Sequence, residues 1–331
     1  MAASVDGRPA LAVRRLRAAL RLTGAAAPET RGRMLVSLAW SESECGRVDL
    51  GFRLLDEAER LLPEAGRPVL FAQRALLLRR NGRNDLALPE FGRAIAALTE
   101  RDHALDLVKA LNNRSLLHLD AGQVGAARQD LTRAERIAQR HDMPVTALLL
   151  HVNLGCLDVV AGDLPAALGL FATSRRGYER MATGRLAGLA VENARALLAA
   201  GLFREADRDL AAAVDQARAQ GQKHTWAAAL QVRAEVALLA ARPAAAAAWA
   251  GQARALFHSR GNHRRAALAA LLALRAQQAA ASSASAEPSA LAEPSAPVAP
   301  PAPLVAATNG ELTGGPAAGS GDVLGRGRRL A

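Results

Sequence analysis

Aromatic residues make up only 3% of this 331-residue chain, so its core has to be built from Ala, Leu and Val. Small side chains in such number suit closely packed helices. Alternating β-branched runs are missing as well, which argues against a sheet. Cysteine is scarce. Cys45 and Cys156 form no CxxC pair and allow no disulfide framework, and both read as buried structural thiols within helical stretches. That usage fits a reducing compartment and points to the cytoplasm. No stretch of about 18 apolar residues runs without a charge, so no membrane span is expected and no membrane partner. Arg14, Arg15, Arg17 and Arg21 interrupt any signal-peptide core at the N-terminus.

The motifs of catalysis are also missing. Histidines at His103, His118, His141, His151, His224, His258 and His263 show no HExxH and no i,i+4 pair, so no metal site is expected. There is no Gly-rich phosphate loop, no GxSxG elbow and no dinucleotide fingerprint, hence no cofactor. The chain does not read as an enzyme. Lysine is nearly absent: of 42 basic residues only Lys109 and Lys223 are lysines, and the net charge is +11. With the excess of Ala, this matches the codon bias of a GC-rich genome, so part of the arginine content is compositional. A basic surface would attract acidic peptides, anionic membranes or nucleic acid. A well-solvated helical surface explains the same charge.

What is present is a period of about 40 residues. Helical stretches stop at Gly46, Gly82, Gly122, Gly162, Gly201 and Ala241. A small residue follows five positions later, at Gly51, Ala87, Ala127, Ala167, Ala206 and Ala246. Next come Leu55, Phe91, Leu131, Phe171, Leu210 and Ala250, and then Ala58, Ala94, Ala134, Ser174, Ala213 and Ala253. The spacing predicts a helix over 6–22 and then six helix pairs. First helices fall near 31–45, 68–81, 104–121, 145–161, 185–200 and 224–240. Second helices fall near 49–62, 84–99, 124–140, 165–181, 204–220 and 243–258, with a closing helix at 262–278. A Gly after the first helix ends it in the left-handed conformation. Pro165 and Pro243 stand where a second helix starts, and Asn84 is placed to cap one. The small residue lets the two helices of a pair approach, and the bulky one fills the gap to the next pair. Residues 1–278 are therefore read as one repeat array. Residues 279–331, rich in Ala, Pro, Ser and Gly, are read as a disordered tail that cannot bury enough apolar surface to order itself.

This spacing resembles the tetratricopeptide repeat, with its small eighth residue falling on Ala39, Ala75, Ser115, Gly155, Ala194 and Ala234. The final Pro of that repeat is matched only by Pro63, and the units run longer than usual. The phrases LVSLAWSESECGRVDLGFRLLDEAERLLP (35–63), QRALLLRRNGRNDLALPEF (73–91), LNNRSLLHLDAGQVGAARQDL (111–131) and ARALLAAGLFREADRDLA (194–211) are similar to the N-terminal repeat region of actinobacterial CHAT-domain proteins. The caspase-like domain of that family has no counterpart in this sequence, and its activity does not carry over. The resemblance implies an all-α superhelical solenoid whose first helices face a concave groove. On the family's inward positions stand Arg33, Trp40, Arg79, Lys109, Asn112, Asn113, Asn153, Arg195, Gln231 and Glu235. Asparagine amides there would hold the backbone of an extended peptide, and Arg79, Lys109 and Arg195 would meet acidic groups on it. The expected function is a scaffold binding a protein or peptide partner, acidic in character, in that groove. Two alternatives are a regulatory repeat fragment of a CHAT-type protease system and a basic solenoid binding nucleic acid. Few aromatics and no ordered basic patch argue against the last.

Overall fold

The computed structural model describes residues 9–22, 27–101, 103–259 and 262–285. Every regular element among them is helical. Helix α1 (Pro9–Leu22) precedes six pairs: α2 (Pro28–Glu44) with α3 (Val48–Leu61), α4 (Arg67–Arg80) with α5 (Asn84–Glu100), α6 (Ala104–Asp120) with α7 (Val124–Arg140), α8 (Pro144–Ala161) with α9 (Leu164–Met181), α10 (Leu186–Ala199) with α11 (Phe203–Ala219), and α12 (Lys223–Leu239) with α13 (Pro243–His258). Helix α14 (His263–Ser285) follows, and short 3-10 turns at Glu64–Gly66 and Thr183–Arg185 lead into α4 and α10. Each helix packs on its neighbours in sequence, and successive first helices also touch one another. The result is a tetratricopeptide-like solenoid with the first helices in one continuous row.

The repeat positions explain the packing. All six small residues, all six residues at the next position and all six at the last are buried. Second helices bury one stripe, as Ala127, Leu131, Ala134 and Ala138 do on α7. First helices are covered nearly all round, since each lies between its own second helix and the preceding one; α6, α8 and α12 illustrate this. Close approach is tight at Gly155 on α8, where an added Cβ would lie 2.5 Å from the ring of Phe171, and equally at Gly177 on α9 against Leu148. Phe171 is itself buried.

All five glycines that stop a first helix have positive φ, from +72° to +83°. The sixth stop, Ala241, adopts the same left-handed region at φ 54° although it carries a Cβ. Pro165 and Pro243 lie in the first turns of α9 and α13. Asn84 is not a cap: it is the first residue of α5, Arg83 holds the cap position, and no side chain caps that end. Cys45 follows the last residue of α2 and is half-buried, whereas Cys156 is buried within α8. Helix α14 continues past residue 278, the end expected from composition, because alanine and glutamine there sustain a helix. Residues 286–331 of the expected tail lie outside the described residues.

Helix α8 is long and apolar enough to cross a membrane, yet 61% of it is buried inside the array and it forms part of the core. That core changes character along the chain. Leucine is the commonest residue of the cluster built by α2 to α8. Alanine supplies most of the cluster built by α10 to α14.

Candidate binding surface

The row of first helices places the ten candidate residues in three kinds of setting. Asn112, Asn113 and Asn153 are buried at 0%, 1% and 2% exposure. Asn153 Nδ2 donates to Asn112 Oδ1 at 2.6 Å, and Asn112 Nδ2 lies 3.4 Å from Asn113 Oδ1. These amides thus face one another inside the array. Gln231 is buried too, and its Nε2 donates to Glu235 Oε1 at 3.1 Å. The charged candidates are paired along the row. Arg79 meets Asp120 at 3.0 Å, Lys109 meets Asp106 at 3.2 Å, and Arg195 meets Glu192 at 3.5 Å. Near the N-terminal end Arg33 is exposed and pairs with Glu29 at 2.7 Å, and Trp40 carries the Arg80 guanidinium 4.8 Å from its ring centre. The structure brings the asparagines together and leaves the rest spread over several repeats.

Buried thiol and carboxylate chemistry continues the row. Cys156 Sγ lies 3.6 Å from Glu192 Oε2. Burial, and then the neighbouring carboxylate, push the Cys156 thiol well above its usual range. It is therefore an unreactive thiol at neutral pH.

Two clefts open along the row. The smaller, beside Lys109 and Asn113, has a volume of about 20 Å³ and admits at most a water. The larger holds about 160 Å³ and is walled by three successive first helices: Leu149 and Val152 from α8, Arg185, Gly188 and Leu189 at the start of α10, and Gln222 and Thr225 at the start of α12. Tyr178, from the last turn of α9, completes it. Its phenol is buried and its Oη has no hydrogen-bond partner among the described residues. Burial pushes the Tyr178 pKa up to about 12, with the nearby Arg185 pulling the other way. The Arg185 guanidinium has no carboxylate partner among the described residues. Gln222 Nε2 donates to the carbonyl of Gly184 at 2.7 Å and so ties α12 to the turn before α10.

None of the residues lining the larger cleft is among the ten candidates. Repeat positions counted along one helix do not reveal a site assembled from four helices and a turn. One signal was available: Tyr178 is the only tyrosine of the chain and falls at the end of a second helix, where a buried hydroxyl needs an acceptor.

No protein-family model matches the sequence, and no curated protein does. Several solved structures share its architecture. A tetratricopeptide repeat protein from Parabacteroides merdae ATCC 43184 superposes with a TM-score of 0.53 at 18% identity, covering 81% of this chain and 94% of that one. A Rap protein complexed with Competence and Sporulation Factor gives 0.54 at 14% identity, over 76% of this chain and 77% of that one. The Rap conjugation gene regulator of plasmid pLS20, in complex with the Phr* peptide, gives 0.52 at 15% identity, over 74% of each. The likeness is one of fold: the described residues form a tetratricopeptide-like helical array.

Proposed function

We propose that the chain is a protein-interaction scaffold that holds an extended peptide along its first-helix row, with the Tyr178 cleft taking one residue of that peptide. The observation that carries this reading is the cleft itself. Two successive first helices contribute an apolar wall, Leu149 and Val152 from α8 and Leu189 from α10, and a buried hydroxyl there lacks an acceptor among the described residues. An unmet buried hydroxyl costs about 1–3 kcal/mol, which a peptide carbonyl or carboxylate would recover on binding. Arg185 adds a charge at the mouth, so a peptide residue with an apolar stem and an acidic end fits the lining. Two structures of similar fold, the Rap proteins, are complexes with Competence and Sporulation Factor and with the Phr* peptide, which supports a protein or peptide partner.

Within this reading the buried asparagines space the helices, and contact with the peptide falls to Trp40, Lys109, Arg195 and the cleft. The test is capture from nuclease-treated native lysate by the full chain, repeated with Arg185→Glu and with Tyr178→Phe. A discrete protein held by the parent and lost by Arg185→Glu is the expected result. Equal capture by all three, or recovery of nucleic acid alone before nuclease treatment, would overturn it.

A further inference from the structure

A third cleft, of about 300 Å³, lies away from the Tyr178 site, between α5, α6 and α7. Its lining divides by chemistry. Arg133, Arg136, Arg140 and His141 come from the end of α7, Thr99 from α5, and Ala104, Leu107 and Ile137 form an apolar wall. The arginines recur at i, i+3 and i+7, so one helix face presents all three. Arg133 donates to Thr99 Oγ1 at 2.8 Å, and Arg136 to the Thr132 carbonyl at 3.4 Å. None of the three has a carboxylate partner among the described residues. Two acids of α6 and α7 are committed elsewhere: Glu135 to His151 at 2.7 Å and Asp106 to Lys109 at 3.2 Å. This contrasts with Arg114, Arg128, Arg233 and Arg242, each of which meets a carboxylate. Arg136 and Arg140, four residues apart on one face, repel each other as the chain stands.

We infer that this cleft binds a small diphosphate ester. Three guanidinium groups balance the charge of a diphosphate, which at neutral pH carries about three negatives, and planar guanidinium forks match phosphate oxygens in geometry. The cleft has the volume of a small-molecule site, and the wall of Ala104, Leu107 and Ile137 is left over for the organic part of the ligand. The site stands independently of the peptide reading.

The experiment is calorimetric titration of the full chain with inorganic pyrophosphate, orthophosphate, adenosine diphosphate and geranyl diphosphate, alongside the variant Arg136→Gln with Arg140→Gln. Both positions are exposed, so the fold should persist, and circular dichroism checks this. The expected result is saturable one-to-one binding of pyrophosphate, at least tenfold weaker binding of orthophosphate, and at least a tenfold loss in the variant. Tighter binding of one ester than of pyrophosphate supports the apolar wall and identifies the organic part. Esters no tighter than pyrophosphate overturn that part of the inference. Absence of saturable binding, equal binding by the variant, or displacement of pyrophosphate by an oligonucleotide that binds tighter would overturn the whole.

Discussion

Asn153 on α8 donates a 2.6 Å hydrogen bond to Asn112 on α6, joining first helices of successive repeats across 41 residues of chain. The backbones of α6 and α8 approach each other less closely than those of other successive first helices, and a polar bridge spans that wider seam. Asn153→Ala removes a donor from a buried oxygen and should cost about 1–3 kcal/mol. Urea unfolding of Asn112→Ala, Asn153→Ala and the double variant checks this. The double variant should lose less than the sum of the single losses.

The left-handed Ala241 gives a prediction of opposite sign. Five of the six equivalent stops are glycine, and only Ala241 bears the steric cost of a Cβ at positive φ. Ala241→Gly should stabilise the chain by about 1 kcal/mol, and Gly122→Ala should destabilise it by a similar amount. Midpoints of chemical denaturation decide both. Loss of stability in Ala241→Gly would refute the argument.

Gly155→Ala places a methyl against the ring of Phe171, 2.5 Å away before relaxation. A loss of about 1–3 kcal/mol is expected from overpacking. Phe171→Leu in the same chain should restore part of it, since it removes the clashing ring. Thermal unfolding of the single and paired variants distinguishes overpacking from a lost glycine conformation, which the second change could not repair.

Because Tyr178 is the only tyrosine, tyrosinate absorbance reports on it alone. In the unfolded chain the phenol ionises near its ordinary 10.0, and in the folded protein only at about 12. Between those values the unfolded chain releases a proton that the folded chain keeps. Tyr178 therefore supports folding fully below pH 10 and loses that contribution as pH rises towards 12, about 3 kcal/mol in all. A titration midpoint near 10 in protein that remains helical would contradict the burial of the phenol.

The repeat was legible because packing imposes one spacing on every pair. Glycine stops, small contact residues and bulky fillers recur in phase, and helix ends read from them fall within a few residues of those in the structure. Asn84 was misread because a capping residue type at the right distance says nothing about which backbone group it reaches. The inward register placed Asn113 and Asn153 correctly on first helices but could not separate the exposed side of a helix from the side covered by its neighbours. Arg133, Arg136 and Arg140 were passed over in a sequence read as having no ordered basic patch, because their lack of acidic partners among the described residues depends on where Glu135 and Asp106 turn, which only the fold decides. The resemblance to the repeat region of CHAT-domain proteins rests on the quoted phrases alone.

The change from a leucine-rich to an alanine-rich core has a mechanical consequence. Long side chains interlock, so sliding one helix past another in the first half would force rotamers and backbone apart. Alanine against alanine offers a nearly smooth contact, with close backbones but nothing to mesh. The array should therefore resist deformation more in its N-terminal half than in its C-terminal half, and the Tyr178 cleft lies where the two meet.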